Sequence, residues 1–392
     1  MLSYLKSLRN LPNGVKYYFI MQIVMGIGSG IWNLNINYYL ESRGFGTSEI
    51  GRIVAVGSVT TALFSILSGY LCDKYGYKRN IITGCILKTA AMFSLYFFIP
   101  QNTVYIILFI NGIGDSMILT CSYPYITSMA EEKDKSTVYT LLFSCLMFSL
   151  FLGNTFGGFL LNYLPKVNRY ENSILVSAVL TGAALIMLRM LPVTTKSRNM
   201  GVKLYIPFQR SVLSYLFFDF LGYASYFLSY SMLNLISRDF IGIPEQSTGL
   251  VLGALSVMSS IAVFIVPPVV RISGRVRLCM VILVVLTGLY ILMSFMGGYV
   301  FIIFSILTAF LSNMLPGVLD GPMLNRIPEG EKGGFSGLRV LVNNIGTSLG
   351  TTAAGNLLSV DNGTAIIYLI TAFLLFIQVL VFVFGFMNVL KE

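Results

Sequence analysis

Histidine is absent from all 392 residues, so the commonest protein ligand for transition metals is missing and a histidine-built metal site is excluded. Charge is nearly as scarce. Only 11% of the residues are Asp, Glu, Lys or Arg and 56% are hydrophobic, against roughly a quarter charged in soluble domains. Such a chain cannot clothe a water-exposed surface. No G-x-x-x-x-G-K-[ST] loop occurs, which removes the phosphate cradle of an ATP-driven machine. The five cysteines, Cys72, Cys85, Cys121, Cys145 and Cys279, show no paired ligand spacing; neither a disulfide nor a metal is expected from them. The opening MLSYLKSLRNLPNG lacks a signal-peptide cleavage pattern and reads as a lead-in to the first apolar run.

What fills the sequence is a succession of apolar runs about 20 residues long, the length a helix needs to cross about 30 Å of hydrocarbon. A membrane barrel would show short alternating segments instead. Twelve runs fall at roughly 16 to 40, 50 to 71, 80 to 100, 103 to 129, 137 to 163, 173 to 192, 211 to 236, 247 to 270, 278 to 297, 299 to 324, 335 to 359 and 364 to 389. The net charge of +10 sits in the short connections, where it reads as a topology signal and not as a nucleic-acid surface. With the N-terminus inside, Lys74, Lys78, Arg79, Lys133, Lys135, Lys196, Arg198, Lys203, Arg271, Arg275 and Arg277 are among the many cytoplasmic bases. Only Arg43, Arg52, Lys166, Arg169 and Arg238 lie outside. The positive-inside rule therefore predicts both termini in the cytoplasm.

One connection has a composition of its own, VTTKSRNMGVKLYIPFQR at 193–210. It predicts an N-terminal six-helix bundle over 1–192, a cytoplasmic linker over 193–210 and a C-terminal six-helix bundle over 211–392. A constant offset of about half the chain pairs Gly51 with Gly249, Gly76 with Gly274, Arg79 with Arg277, Pro124 with Pro322, Glu131 with Glu329 and Gly157 with Gly355. A shared offset at equivalent places in two halves predicts a duplicated, pseudo-symmetric unit. The fold class is thus an all-α membrane protein of twelve transmembrane helices in two six-helix bundles.

Between the second and third runs lies GYLCDKYGYKR, in which Gly69, Asp73, Lys74, Gly76, Lys78 and Arg79 fall in the pattern G-x-x-x-D-[RK]-x-G-x-[RK]-[RK]. This resembles the signature loop of the major facilitator superfamily, and the likeness extends to the twelve spans, the central loop and the half-length repeat. Physically, Gly69 is expected to admit a close neighbour and Gly76 a tight reversal. The resemblance implies that Asp73 caps the start of the eleventh helix, near Gly333, Gly334 and Ser336, latching the two halves on the cytoplasmic side. Lys74, Lys78 and Arg79 would meet lipid phosphates or the acids Glu131, Glu132 and Asp134. The second half keeps only RISGRVR, with Arg271 where the acid would stand, so the latch is expected to be one-sided.

A charge in hydrocarbon costs about 2.5 to 3.5 kcal/mol on insertion scales, so each one asks for a reason. Lys88, Asp115 and Asp219 all lie roughly 12 Å from the cytoplasmic face at 1.5 Å per residue. The resemblance implies that spans one, four, seven and ten line a central cavity, which brings Asp115 and Asp219 to it from opposite halves. A carboxylate there can load and release a proton as access alternates, the coupling role expected for Asp115 and Asp219, with Lys88 a weaker participant. The competing reading is a structural Lys88–Asp115 ion pair. Asp320 and Arg339, near the cytoplasmic ends of spans ten and eleven, read as a structural or gate salt bridge. Trp32, Asn33 and Asn37 of span one, Tyr123 of span four, Tyr223 and Tyr226 of span seven and Asn313 of span ten mix amides and aromatic rings with apolar surface, which suits an amphiphilic organic molecule. Aromatic belts and interhelical hydrogen bonds are the plainer alternatives.

Two departures stand out from the pattern usual in the drug exporters of that superfamily. Leu108 occupies the place of an arginine four residues before the GIG turn at Gly112, and FLGNTFGG carries Gly153-Asn154 where a glycine-proline pair is usual. The expected function is secondary active transport by alternating access, without enzyme activity or cofactor, driven by a proton gradient. The first reading is export of small amphiphilic or drug-like molecules. A proton-coupled importer of a small nutrient such as a sugar, and a non-transporting receptor or assembly factor, are the alternatives; the lack of a sizeable extramembrane domain argues against the last. Expected partners are a small-molecule substrate, protons and the lipid bilayer, with no nucleic acid, in a monomer of the bacterial inner or plasma membrane.

Overall fold

The computed structural model describes residues 12–97, 100–130, 135–192, 209–328 and 332–390. Among them are twelve long helices. The first six are α1 (Asn13–Ser42), α2 (Thr47–Tyr75), α3 (Tyr77–Ser94), α4 (Gln101–Ser128), α5 (Lys135–Tyr163) and α6 (Arg169–Met190). The second six are α7 (Arg210–Tyr230), α8 (Glu245–Ser273), α9 (Arg275–Met293), α10 (Gly298–Asn325), α11 (Lys332–Leu358) and α12 (Gly363–Val381). A short helix, Leu233–Asp239, follows α7. Among the described residues, ten spans are long and apolar enough to cross a membrane. The exceptions among the twelve helices are α3 and α11. The first has only 18 residues and carries Lys78, Arg79 and Lys88; the second is rich in Gly, Ser, Thr and Asn, and both are packed between protein neighbours.

The helices start where the chemistry directs. Pro12, Pro100 and Pro244 precede α1, α4 and α8, where a missing N–H costs nothing. Asn168 and Asn362, both in the left-handed region, open α6 and α12, a conformation asparagine tolerates. Gly76 and Gly274 turn the chain between α2 and α3 and between α8 and α9 at φ 89° and 75°, angles that a side chain would strain. Each of the last two pairs occurs once in each run of six helices.

Packing repeats in the same way. In the first six helices α1 packs on α5 and α6, α3 on α4 and α6, and α2 on α4. Adding six to each number gives the second set, with α7 on α11 and α12, α9 on α10 and α12, and α8 on α10. The two sets meet along α2–α11 and α5–α8. Successive helices run up and down, so Asn13 and the end of α12 share one end of the molecule, here the terminal end, and the loops after α1, α5, α7 and α11 mark the far end. One buried core runs continuously from the far-end part of the first half (Trp32, Leu34, Tyr38, Ile50, Ile174) into the second half. The terminal-end core of the first half (Val15, Tyr18, Ile81, Tyr125) is a separate cluster.

Close passage of the two halves rests on glycine at two places. A Cβ on Gly355 of α11 would lie 2.5 Å from the Thr47 carbonyl and 2.8 Å from Gly51 Cα on α2. On the other seam, a Cβ on Gly249 of α8 would lie 2.6 Å from the Asn154 carbonyl and 2.9 Å from Gly158 Cα on α5. No real side chain fits there. Gly69 is different: its added Cβ would reach only Thr120, at an ordinary 3.8 Å, so the close approach expected of it is absent.

Candidate functional site: two ion clusters beneath a closed end

Both halves bury an ion cluster, each on a different set of helices. In the first half Lys88 Nζ of α3 lies 2.6 Å from Asp115 Oδ1 of α4. Asn111 Nδ2, one turn before the acid, donates to Asp115 Oδ2 at 3.2 Å, and Lys88 also reaches Ser29 Oγ of α1 at 3.4 Å. In the second half Arg339 of α11 joins two acids. Its Nε donates to Asp219 of α7, while Nη1 and Nη2 donate to the two oxygens of Asp320 on α10, both at 2.8 Å. The guanidinium lies 5.3 Å from the Tyr215 ring centre, and the Tyr215 hydroxyl donates to Asp320 Oδ1 at 2.7 Å.

The Asp320–Arg339 bridge forms, but within one half, so it ties α10 to α11 and does not close the two halves on each other. The clusters also differ in charge. Lys88 and Asp115 cancel, whereas one guanidinium faces two carboxylates and leaves a surplus negative charge. Asp115 and Asp320 keep 30% and 27% of their side chains exposed, against 9% for Lys88 and Asp219. Each cluster therefore has one acid that a proton can reach and one buried partner.

The amides of α1 divide by height. Ser29, Asn33 and Asn37 repeat every four residues and share a face. Ser29 touches Lys88, Asn33 is exposed, and Asn37 is buried in the far-end closure. There Asn37 Nδ2 donates to Asn234 Oδ1 and to the Ser231 carbonyl, both at 2.8 Å. Asn234 Nδ2 returns a bond to the Leu34 carbonyl at 2.8 Å, and the Tyr38 hydroxyl donates to the Asn234 carbonyl at 2.8 Å. Around this amide knot, Arg238 pairs with Glu41 at 2.7 Å and lies over the Tyr38 ring. Arg169 pairs with Glu245 at 2.9 Å, Glu245 also accepts from the Tyr170 hydroxyl at 2.6 Å, and Ser48 and Asn162 bond to Asn356 and Gln246. All of these link the first half to the second.

The other cavity candidates are dispersed. Trp32 is buried. Tyr123 and Tyr223 are exposed, and the Tyr223 ring stacks on Phe227 with centres 6.5 Å apart. Tyr226 stacks on Tyr230 at 5.1 Å and borders a void of about 20 Å³ with Tyr290 and Tyr368, inside the second half. Asn313 donates to Ser259 Oγ of α8 at 3.0 Å, an interhelical bond of the plainer kind.

In the signature loop the bases meet tyrosines and carbonyls. Lys74 lies 5.2 Å from the Tyr75 ring centre and Arg79 lies 5.7 Å from it, while Lys78 donates to the Arg189 carbonyl at 3.2 Å and to that of Leu191. The side chain of Asp73, the surroundings of Gly333 and Gly334, the acids Glu131, Glu132 and Asp134, and most of the 193–210 connection lie outside what the structure describes. Cys72 and Cys121 correct the expectation of free thiols. Their sulfurs are in bonding contact with Cα atoms 6.4 Å apart, a separation that suits a disulfide, because α2 and α4 pack side by side. Cys85, Cys145 and Cys279 are free.

The closure is not legible in the sequence. In the sequence Arg169 and Arg238 read only as topology markers, and Asn37, expected in the cavity, is instead buried in the closure. No local pattern relates the partners, because Arg169 pairs with Glu245 and Arg238 with Glu41 of the opposite half.

Twin six-helix bundles meeting along α2–α11 and α5–α8, with ion clusters between their helices, define a multi-pass membrane protein of the two-bundle transporter type. A sequence profile described as Major Facilitator Superfamily matches residues 18–219, just over half of the chain, and the chain belongs to that superfamily. Quinolone resistance protein NorA of Staphylococcus aureus is 28% identical over 148 residues, 37% of either chain. The chain spans about a third of the length of the curated relatives it matches. Among solved structures, the nucleoside transporter NupG superposes with a TM-score of 0.70 at 13% identity, covering 97% of this chain and 100% of that one. A D-xylose-proton symporter gives 0.74 at 12% identity, covering 95% and 97%.

Proposed function

We propose that this protein is a proton-coupled secondary transporter that exports small amphiphilic or drug-like molecules by alternating access. The observation that carries the coupling is the surplus carboxylate around Arg339. An uncompensated charge between helices in a membrane is costly, and one proton held by Asp219 or Asp320 removes it. Arg339 stays charged, so the proton and not the base supplies the neutral state. When the proton leaves, the cluster regains a net negative charge that a water-filled cavity tolerates and a closed one does not. Proton release thus belongs with open access. Asp115, balanced by Lys88, is the secondary coupling site.

The far-end closure supplies the other half of the cycle. With the terminal end on the cytoplasmic side, as the distribution of Lys and Arg supports, this conformer is shut toward the outside by the Asn37–Asn234 knot and its ring of ion pairs. Asn33, one turn beneath the knot on the same face of α1, then lies at the ceiling of the space that a substrate enters. Export of amphiphiles draws support from the likeness to NorA and from the aromatic, sparsely charged surroundings. Nutrient import is the second reading, favoured by the likeness to the D-xylose-proton symporter, with Asn33 then a hydroxyl ligand. The protein belongs in the plasma membrane of a bacterium on either reading.

The test is a substrate screen in reconstituted vesicles with and without an imposed proton gradient. Uphill movement of an amphiphile against the direction of proton flow supports export. Uphill movement of a sugar or nucleoside with the protons supports import, and no gradient-driven movement of any compound refutes the coupling.

A further inference from the structure

The face of α7 turned away from Asp219 carries a feature that neither cluster uses. Arg210 and Asp219 are nine residues apart, two and a half turns of a helix, and so point in opposite directions. Arg210, Ser214 and Phe217 recur at intervals of four and three residues along one face, in the cleft where α7 is flanked by α11 and α12. With Val342 of α11, and Phe384 and Gly385 beyond α12, they line a groove of about 860 Å³. Phe217 and Phe384 are exposed on the periphery of the bundle, where the surroundings are acyl chains. A side chain in place of Gly385 would strike Ser214 Cβ at 2.5 Å, so Gly385 and Ser214 lie in close contact at the floor of the groove.

We propose that this groove binds one anionic phospholipid from the leaflet at the terminal end. The lining is apolar except for Ser214 and Arg210, and the arginine sits at the first residue of α7, the height at which a lipid of that leaflet carries its phosphate. Arg210 is exposed and makes no hydrogen bond or ion pair with a described residue. No side chain caps the start of α7, and the positive end of the helix adds to the pull on an anion. A guanidinium holds phosphate bidentately, while chains lying along Phe217 and Val342 replace contacts that a flat helix surface would not offer. One amphiphile with its charge at one end and hydrocarbon along its length matches this arrangement.

The full-length protein, purified in detergent and titrated with phosphatidylglycerol or phosphatidylcholine, provides the test by native mass spectrometry. The wild type is expected to retain one phosphatidylglycerol and to prefer it over phosphatidylcholine at least fivefold, a margin within reach of a charge-assisted contact. Arg210→Gln is expected to abolish the preference, and Val342→Phe, which narrows the groove without changing charge, to lower retention of both lipids. Equal retention of phosphatidylglycerol by the wild type and both variants overturns the proposal. So does displacement of the lipid by inorganic phosphate alone, which would mark a bare anion contact, or a dimer that Val342→Phe dissociates, which would make a second copy of the chain the occupant.

Discussion

A single arginine between two acids makes a different demand on the molecule from a lysine beside one. Around Arg339 the two carboxylates are tolerated because the guanidinium offers bonds to both Asp219 and Asp320. Replacing it by Met leaves two acids without a cation and is expected to cost about 3 to 5 kcal/mol, seen as a large drop in the thermal unfolding midpoint in detergent. Asp219→Asn alone is milder, since Arg339 keeps Asp320, and combining it with Arg339→Met should recover part of the loss. Additive losses in the double variant would mean that the groups are not coupled. In vesicles, Asp219→Asn and Asp320→Asn are each expected to lose gradient-driven accumulation while retaining substrate exchange. Full accumulation in both would remove the cluster from the coupling step. The charges of span three and span four are legible in the sequence as residues that need a reason, and the structure brings Lys88 and Asp115 into contact. That Asp219 would find Arg339 was not legible, because the partner lies on a helix four spans further along the chain.

Glycines serve two purposes here that look identical in a sequence. Gly76 and Gly274 turn the chain, and their positive φ values are a backbone requirement that the signature motif and the half-length repeat both expose. Gly51 and Gly249 also betrayed the repeat, and each stands on a seam between the halves. Gly355, by contrast, pairs by offset with Gly157, yet the residue at the equivalent contact is its neighbour Gly158. A repeat read from sequence thus fixes the helices and leaves the contacting face uncertain by one residue, about 100° of rotation in a helix. The far-end closure was illegible for a related reason: its partners come from opposite halves, and no local periodicity relates them. At this scale a wedge is the informative change. Gly355→Leu drives a side chain into the Thr47 carbonyl and is expected to hold α2 and α11 apart, reducing transport more than tenfold while the protein still folds. Gly321, whose Cβ would meet nothing within 4 Å, provides the control, and Gly321→Ala should leave transport unchanged. Similar rates for both variants would show that the seam does not need this contact.

For the whole molecule, the question is whether the polar closure or the apolar core holds the far end shut. The core is continuous across the halves there, which favours closure without any charge. The ion pairs are partly exposed, Arg238 at 26% and Glu41 at 36%, and such pairs contribute up to about 1 kcal/mol each. By that measure Arg238→Ala shifts the balance toward far-end opening by at most about fivefold. The amide knot is buried, and opening it exposes Asn37 and Asn234 to water that can replace their bonds; breaking it by Asn234→Leu instead strands the Asn37 amide and costs the closed state about 1 to 3 kcal/mol, a shift of roughly fivefold to a hundredfold. The measurement is labelling of Asn33→Cys by a membrane-impermeant thiol reagent added from the far side, since Cys85 and Cys279 are buried and only Cys145 needs removal. Labelling should rise modestly in Arg238→Ala and more in Asn234→Leu. If Arg238→Ala opens the far end as much as Asn234→Leu does, the ring of ion pairs governs the closure and the knot only fills it. If neither changes the labelling, the closure lies in the apolar seams, and the wedge at Gly355 becomes the change that should open it.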